Sequence, residues 1–175
     1  MEELSKSTVT LLGVVVGWLL GQGSELLRSH LKNRKLVGAL NAELKDLQAH
    51  LEKSMERCAK SINADDAPRA TIWPHAITHP VYTQYYPEIC LHITGDQRLS
   101  INSIYGHIAT FNQRLAGDYD PQAIKRGLFL AYVDAKWAYE LIDYHFRHNG
   151  KQKLADDEAK IREINTDFQG FSDKI

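Results

Sequence analysis

The hydrophobic pattern begins with a stretch, between Lys6 and Glu25, that contains no charged residue. Leucine, valine and tryptophan fall on all faces of a helix drawn through this stretch, whereas a helix in a protein core concentrates them on one face. A membrane-spanning helix needs roughly 17–25 mostly apolar residues, so residues 7–24 are predicted to form a short transmembrane helix. A secretory signal would begin with a basic segment, but two glutamates follow Met1 here.

The second pattern is an apolar stripe on a long helix predicted over residues 25–62. Its members recur at alternating three- and four-residue steps: Val37, Leu40, Leu44, Leu47, Leu51, Met55, Cys58 and Ile62. Such a stripe indicates either the core face of the chain's own domain or a parallel coiled coil between copies. We favour the core face for its C-terminal part and the coiled coil near the membrane. Charged residues, including Glu43, are assigned to the other faces.

Residues 63–175 are predicted to form a helical bundle that begins with a proline- and aromatic-rich loop at 63–95. Asp96 is the expected N-cap of the next helix, Asp120 precedes Pro121 at another helix start, and Asn149-Gly150 is a typical helix stop. A last helix is expected at about 152–168. The period of two that marks strands is nowhere sustained, so the fold class is all-α, an antiparallel four-helix bundle after the membrane helix. The domains are therefore 1–24, 25–62 and 63–175.

The charges that flank the apolar stretch predict its orientation. One lysine stands against two glutamates on the N-terminal side, whereas the C-terminal side carries Arg28, Lys32, Arg34 and Lys35. Basic residues stay in the cytoplasm, so the chain after about residue 25 is expected to be cytoplasmic. The two isolated cysteines agree with a reducing compartment. A formal net charge of -1 argues against a broad nucleic-acid surface.

Glycines at a spacing of four line one face of the predicted membrane helix. Gly13, Gly17 and Gly21 make two overlapping GxxxG patterns, which allow helix backbones to approach closely in lipid. The alternative is that glycine is simply common in membrane helices. We predict self-association through this face, with Gln22 beside it on an oligomer or pore surface.

The sequence contains no complete catalytic or metal-binding motif. The pairs formed by His75 with His79 and by His145 with His148 lack further ligands, and no glutamate separates the first pair as a metallopeptidase would require. No nucleophile elbow, P-loop or dinucleotide fingerprint is present. Cys58 lies on the apolar stripe and is expected in the core. The chain is therefore predicted to be no enzyme, with neither metal nor cofactor.

One pair of residues has the spacing of the HEPN ribonuclease motif, in which four to six residues separate an arginine from a histidine. Arg69 and His75 have this spacing. That family usually has a polar residue after the arginine and places the motif at a helix start, and Ala70 and Pro74 depart from both. The pair is a candidate for RNA cleavage but is interpreted as structural.

Basic residues of the C-terminal half are candidates for contacts with an anionic ligand such as a nucleotide or an RNA segment. The alternative is a solvated surface with scattered charge. The candidate residues lie near predicted helix ends: Arg98, Arg114, Lys125, Arg126 and Arg147.

The plan of the chain combines a glycine-rich span, a long helix, a loop with tryptophan and prolines, and the segment SIYGHIATFN at 103–112. In this plan it resembles small bacterial membrane-anchored helical proteins, among them the membrane accessory proteins of type VI-B CRISPR loci, which form a pore and carry a degenerate HEPN-like bundle. The resemblance is one of architecture. It implies an oligomeric single-pass protein of the inner membrane that permeabilises the membrane in antiviral defence.

The partners implied are the lipid bilayer, further copies of the chain, and a defence complex or an RNA or nucleotide signal. Two other functions stay open beside this one. The chain could be a membrane-anchored HEPN-like ribonuclease, or a passive scaffold that holds a partner at the membrane.

Overall fold

The computed structural model describes residues 2–64, 73–117 and 123–172, with side chains from residue 11 to residue 170 of those ranges. Its helices are α1 (Glu2–Ile62), α2 (Pro80–Ile89), α3 (Gly95–Leu115), α4 (Ile124–His148) and α5 (Glu158–Ser172), with a 3₁₀ turn at Leu154–Asp156. None of these residues lies in a strand, which confirms the predicted all-α class. The chain forms two compact units, Met1–Ala39 and Leu40–Ile175, and α1 contributes residues to both.

In the first unit, α1 exposes its apolar side chains. Every leucine, valine and tryptophan between residues 11 and 31 is exposed, and Leu26 is the most exposed of them at 72%. Within the residues described, no helix has a stretch that is both long enough and apolar enough to cross a membrane. The predicted transmembrane helix at 7–24 is therefore not found there. Four glycines and five polar residues lower the hydropathy of residues 7–24, and residues 7–10 lie outside the described side chains.

In the second unit, the predicted stripe on α1 is the core face of the domain. Its leucines and Cys58 are at most 2% exposed, so the core interpretation is confirmed for this part of the stripe. They are buried together with apolar residues of α3 and α4, which follow the helical periods predicted from the sequence: Ile101, Ile104, Tyr105, Ile108, Phe111, Leu128, Ala135 and Ile142. The predicted helical bundle is confirmed in this form.

The start of α3 differs from the prediction by two residues. Thr94, not Asp96, is the N-cap: its hydroxyl accepts a hydrogen bond from the Gln97 N–H, while the Gln97 side chain accepts one from the Thr94 N–H. This reciprocal capping box satisfies two free N–H groups at once, and Asp96 lies in the first turn, where a negative charge is favourable.

The ends of α4 and α5 confirm one prediction and correct another. Asn149 and Gly150 end α4 with φ angles of 51° and 64°, the left-handed conformation of the predicted stop. The last helix begins only at Glu158, because the chain first makes the 3₁₀ turn and the Asp157 carboxylate then accepts the Lys160 N–H. The predicted cap at Asp120 and Pro121 lies outside the described residues.

The proline- and aromatic-rich segment packs against the bundle, as its apolar residues indicate. Asn112 of α3 holds it through two hydrogen bonds to one residue: the Ile77 N–H donates to the Asn112 side-chain oxygen, and the Asn112 amide donates to the Ile77 carbonyl, each at 2.8 Å. The short helix expected at about 80–93 is α2, with Pro80 in its first turn.

Candidate functional site

The glycine face of α1 is open within a single chain. A Cβ atom placed on Gly13, Gly17 or Gly21 would meet nothing within 4 Å. The residues around this face are exposed, among them Gln22. At its C-terminal end, the Ser24 hydroxyl donates a hydrogen bond to the Gly21 carbonyl at 2.8 Å. This face can therefore accept another helix at close distance without any change inside the chain.

Glu43 is a buried residue that the sequence pattern placed on the polar side of α1. It is 8% exposed, and its carboxylate accepts hydrogen bonds from the Val81 N–H at 2.6 Å, the Tyr82 N–H at 3.0 Å and the Tyr105 hydroxyl at 2.7 Å. Helix α2 has no side-chain cap of its own, so Glu43 supplies acceptors for its first N–H groups. The carboxylate thereby connects α1 to α2 and α3.

Aromatic rings surround this carboxylate. The Tyr82 and Tyr105 rings stack with centroids 3.7 Å apart, and the His79 ring meets Tyr105 edge-on at 5.1 Å. Burial, with the hydrogen bond and negative charge of Glu43, raises the pKa of Tyr105 well above its usual value. The hydroxyl stays protonated and donates, so the arrangement acts as a structural clamp and supplies no nucleophile.

A second group of charges joins α4 to α5. Lys136 lies 2.9 Å from both Glu140 and Asp167, and Lys160 lies 2.9 Å from the other oxygen of Glu140. Burial opposes ionisation of Glu140, but the hydrogen bonds from the two lysines outweigh it and hold its pKa below the usual value. The buried carboxylate therefore stays ionised and paired, as a buried charge must.

A serine–histidine contact lies beside a cavity of about 330 Å³. The Ser100 hydroxyl is 2.9 Å from the buried His145 Nδ1, and burial lowers the pKa of His145. A neutral imidazole at this distance can share the hydroxyl proton, and the contact joins α3 to α4. Sequence motifs could not indicate it, since the two residues are 45 positions apart and only the fold brings them together.

The HEPN-like pair is only half described. Arg69 lies outside the described residues, so the geometry of the pair stays untested. His75 is exposed and lines a cavity of about 220 Å³ together with Lys53 and Arg57 of α1.

The five basic candidates for an anionic ligand are not brought to a common cavity among those described. Arg98 donates to the Cys90 carbonyl at 2.9 Å, Arg114 lies 3.6 Å from Asp134, and Arg147 lies 2.8 Å from Asp143. Lys125 and Arg126 belong to the first turn of α4. An anion-binding role for these five residues stays a prediction from the sequence.

In the described part of the chain, no three potential metal ligands cluster. Burial raises the pKa of Cys58 to about 12, so its thiol is protonated and inert, as expected for a core residue. Cys90 donates its thiol to the Pro87 carbonyl.

Comparison with known proteins finds no protein family, no curated protein and no solved structure that matches this chain. The resemblance to the type VI-B accessory proteins therefore stays a prediction from architecture.

Proposed function

We propose that the chain is a self-associating protein of the bacterial inner membrane, attached through its N-terminal helix, with the chain after about residue 25 on the cytoplasmic side. The observation that carries this proposal is the exposure of every large apolar side chain between residues 11 and 31. Single exposed leucines are ordinary on soluble proteins, whereas a large continuous apolar surface marks an interface or a membrane site.

The distribution of these side chains favours lipid as the covering medium. Successive residues of a helix turn by about 100°, so the apolar side chains surround α1 and are interrupted by the glycine row. A helix that lies in the membrane surface, or docks on one protein partner, would have one apolar and one polar face. The uncharged sequence run also extends back to residue 7, which lengthens the segment available for insertion.

The open glycine face supports self-association in that membrane. In lipid there is little hydrophobic gain from pairing helices, so association depends on close backbone packing at small residues. The resemblance in plan supports the further step, in which the assembly permeabilises the membrane in antiviral defence. A passive scaffold would need attachment but no glycine contact, and a ribonuclease would need Arg69 and His75 to meet.

Membrane fractionation of the full chain tests the attachment. We expect the parent protein in the membrane fraction after an alkaline carbonate wash, and we expect Leu19→Asp to release it. An aspartate near the centre of an inserted helix costs about 2.5–3.5 kcal/mol.

The matched control is Leu91→Asp, the same change at an exposed leucine of the second unit. It should leave the protein in the membrane fraction. A parent protein found wholly in the wash, or equal behaviour of the two variants, would contradict membrane attachment through α1.

A further inference from the structure

The cavity beside His75 is lined by cationic and hydrogen-bond-donating side chains. Three of them come from consecutive turns of α1, namely His50, Lys53 and Arg57, and His75 comes from the packed segment before α2. Among the described residues, no carboxylate lines the cavity, and none of these four side chains forms an ion pair or side-chain hydrogen bond with another of them. The positive charge is therefore uncompensated over the described part of the site.

A serine hydroxyl without a partner in the described part of the chain opens onto the same cavity. Ser54 is 6% exposed and lines the cavity between the turns that carry His50 and Arg57. Its hydroxyl has no hydrogen-bond partner among the described residues. This hydroxyl can therefore donate a hydrogen bond to an anion in the cavity.

We propose that this cavity binds a phosphoryl group, either as inorganic phosphate or as a phosphomonoester. Two permanent cations match its double negative charge, and an arginine fork pairs with two phosphate oxygens at once. The donors come both from α1 and from the segment before α2 that carries His75. Donors on two elements suit a tetrahedral anion with several oxygens better than a flat carboxylate. The cavity, about 220 Å³, is large enough for the phosphoryl group.

The site is held in place before any ligand arrives. Ile77, which also lines the cavity, is fixed by the two hydrogen bonds to Asn112, and the α1 residues lie on a helix whose leucine stripe is buried in the domain core. Little ordering is then needed on binding, which favours affinity. This site is independent of the proposed membrane function.

Isothermal titration calorimetry of the full chain tests the site, in a detergent and a buffer free of phosphate. The probes are inorganic phosphate and adenosine 5′-monophosphate. We expect saturable binding of one ion per chain. Arg57→Gln and Lys53→Gln should each weaken it by about tenfold or more, because each removes a charge-assisted hydrogen bond. Tighter binding of the nucleotide would indicate a phosphomonoester ligand, and equal binding would indicate free phosphate.

The control is Lys60→Gln, an equal change of charge on the exposed side of α1 that does not line the cavity; it should stay within about twofold of the parent. Ser54→Ala should weaken binding without lowering the melting temperature, since its hydroxyl has no partner to lose. Absence of saturable binding of both probes, or binding that Arg57→Gln and Ser54→Ala leave unchanged, would overturn the proposal.

Discussion

At the scale of single residues, the Glu43 carboxylate accepts hydrogen bonds from two other helices. Glu43 accepts both free N–H groups at the start of α2 and the Tyr105 hydroxyl of α3. Removing it would leave three buried or half-buried donors without an acceptor, and each unmatched donor is costly.

Glu43→Ala is therefore expected to lower the free energy of unfolding of the second unit by about 2–4 kcal/mol. Glu43→Gln keeps one side-chain oxygen as an acceptor and should cost less. The control is Glu52→Gln, an exposed residue of the same helix, with an expected change within about 0.5 kcal/mol. Urea unfolding followed by circular dichroism measures all three, and equal stability of Glu43→Ala and the parent would disprove the clamp.

Two glycines give a second prediction: replacing each by alanine should change the free energy of unfolding in opposite directions. Gly150 has a φ of +64°, and a Cβ there would lie 2.7 Å from the Gln97 Cγ and 2.8 Å from the His145 Cε1. Gly150→Ala should lower the free energy of unfolding by about 1–3 kcal/mol, because both the backbone and the contact are strained.

Gly106 is the matched glycine, since it lies inside α3 with nothing within 4 Å of its Cβ position. Gly106→Ala should raise the free energy of unfolding by up to about 1 kcal/mol, through helix propensity alone. The same sign for both substitutions in thermal unfolding would contradict this account of the turn at Gly150.

At the scale of elements, α5 is held to α4 by charges as well as by Ile164 and Leu154. The pKa of Glu140 is held below its usual 4.5, so its contribution to stability is complete above pH 4.5 and is lost as the pH falls through the lower folded value. Lys136 behaves in the opposite sense: its pKa is raised above 10.5, so its contribution is lost only as the pH rises beyond 10.5.

The parent protein should therefore lose stability between pH 5 and pH 3 more steeply than Glu140→Gln, which has no carboxyl to protonate there (the window is about one unit either side of the ordinary glutamate pKa). Glu158→Gln, an exposed residue of α5, should keep the slope of the parent. Urea unfolding at several pH values measures the slopes, and parallel curves for the parent and Glu140→Gln would show that this pair does not couple folding to pH.

The elements themselves could be predicted from the sequence because their apolar residues repeat at helical spacing. The stripe on α1 and the inward faces of α3 and α4 follow from that repeat alone. The role of Glu43 could not be predicted, since a glutamate beside a leucine stripe looks like any solvated charge until α2 folds over it. The predicted start of α3 lay two residues too late because threonine and aspartate are both good N-caps. Only the reciprocal hydrogen bonds between Thr94 and Gln97 decide between Thr94 and Asp96.

The candidate site was harder to predict than the elements for a related reason. The Ser100–His145 contact and the cavity at Arg57 each join residues far apart in the chain, and the sequence carries no local motif for either. The five basic candidates were chosen from the sequence for their charge alone. In the fold, three of them, Arg98, Arg114 and Arg147, contact polar groups of the protein itself.

At the scale of the whole molecule, the two units have contrasting surfaces. The second unit has an ordinary buried apolar core, while the first unit leaves its large apolar residues exposed over residues 11–31. The proposed membrane assembly accounts for that contrast. The central claim of the proposal is that copies of α1 contact one another along the row of Gly13, Gly17 and Gly21.

The most direct test is the mass of the full-length assembly in mild detergent, measured by light scattering after gel filtration, for Gly17→Leu against Val15→Leu. Each substitution adds apolar bulk on α1, and a side chain at Gly17 clashes with nothing inside the chain. The account predicts a smaller assembly for Gly17→Leu, because its branched side chain separates the backbones, and the parent mass for Val15→Leu. An unchanged assembly in Gly17→Leu would contradict association through the glycine face.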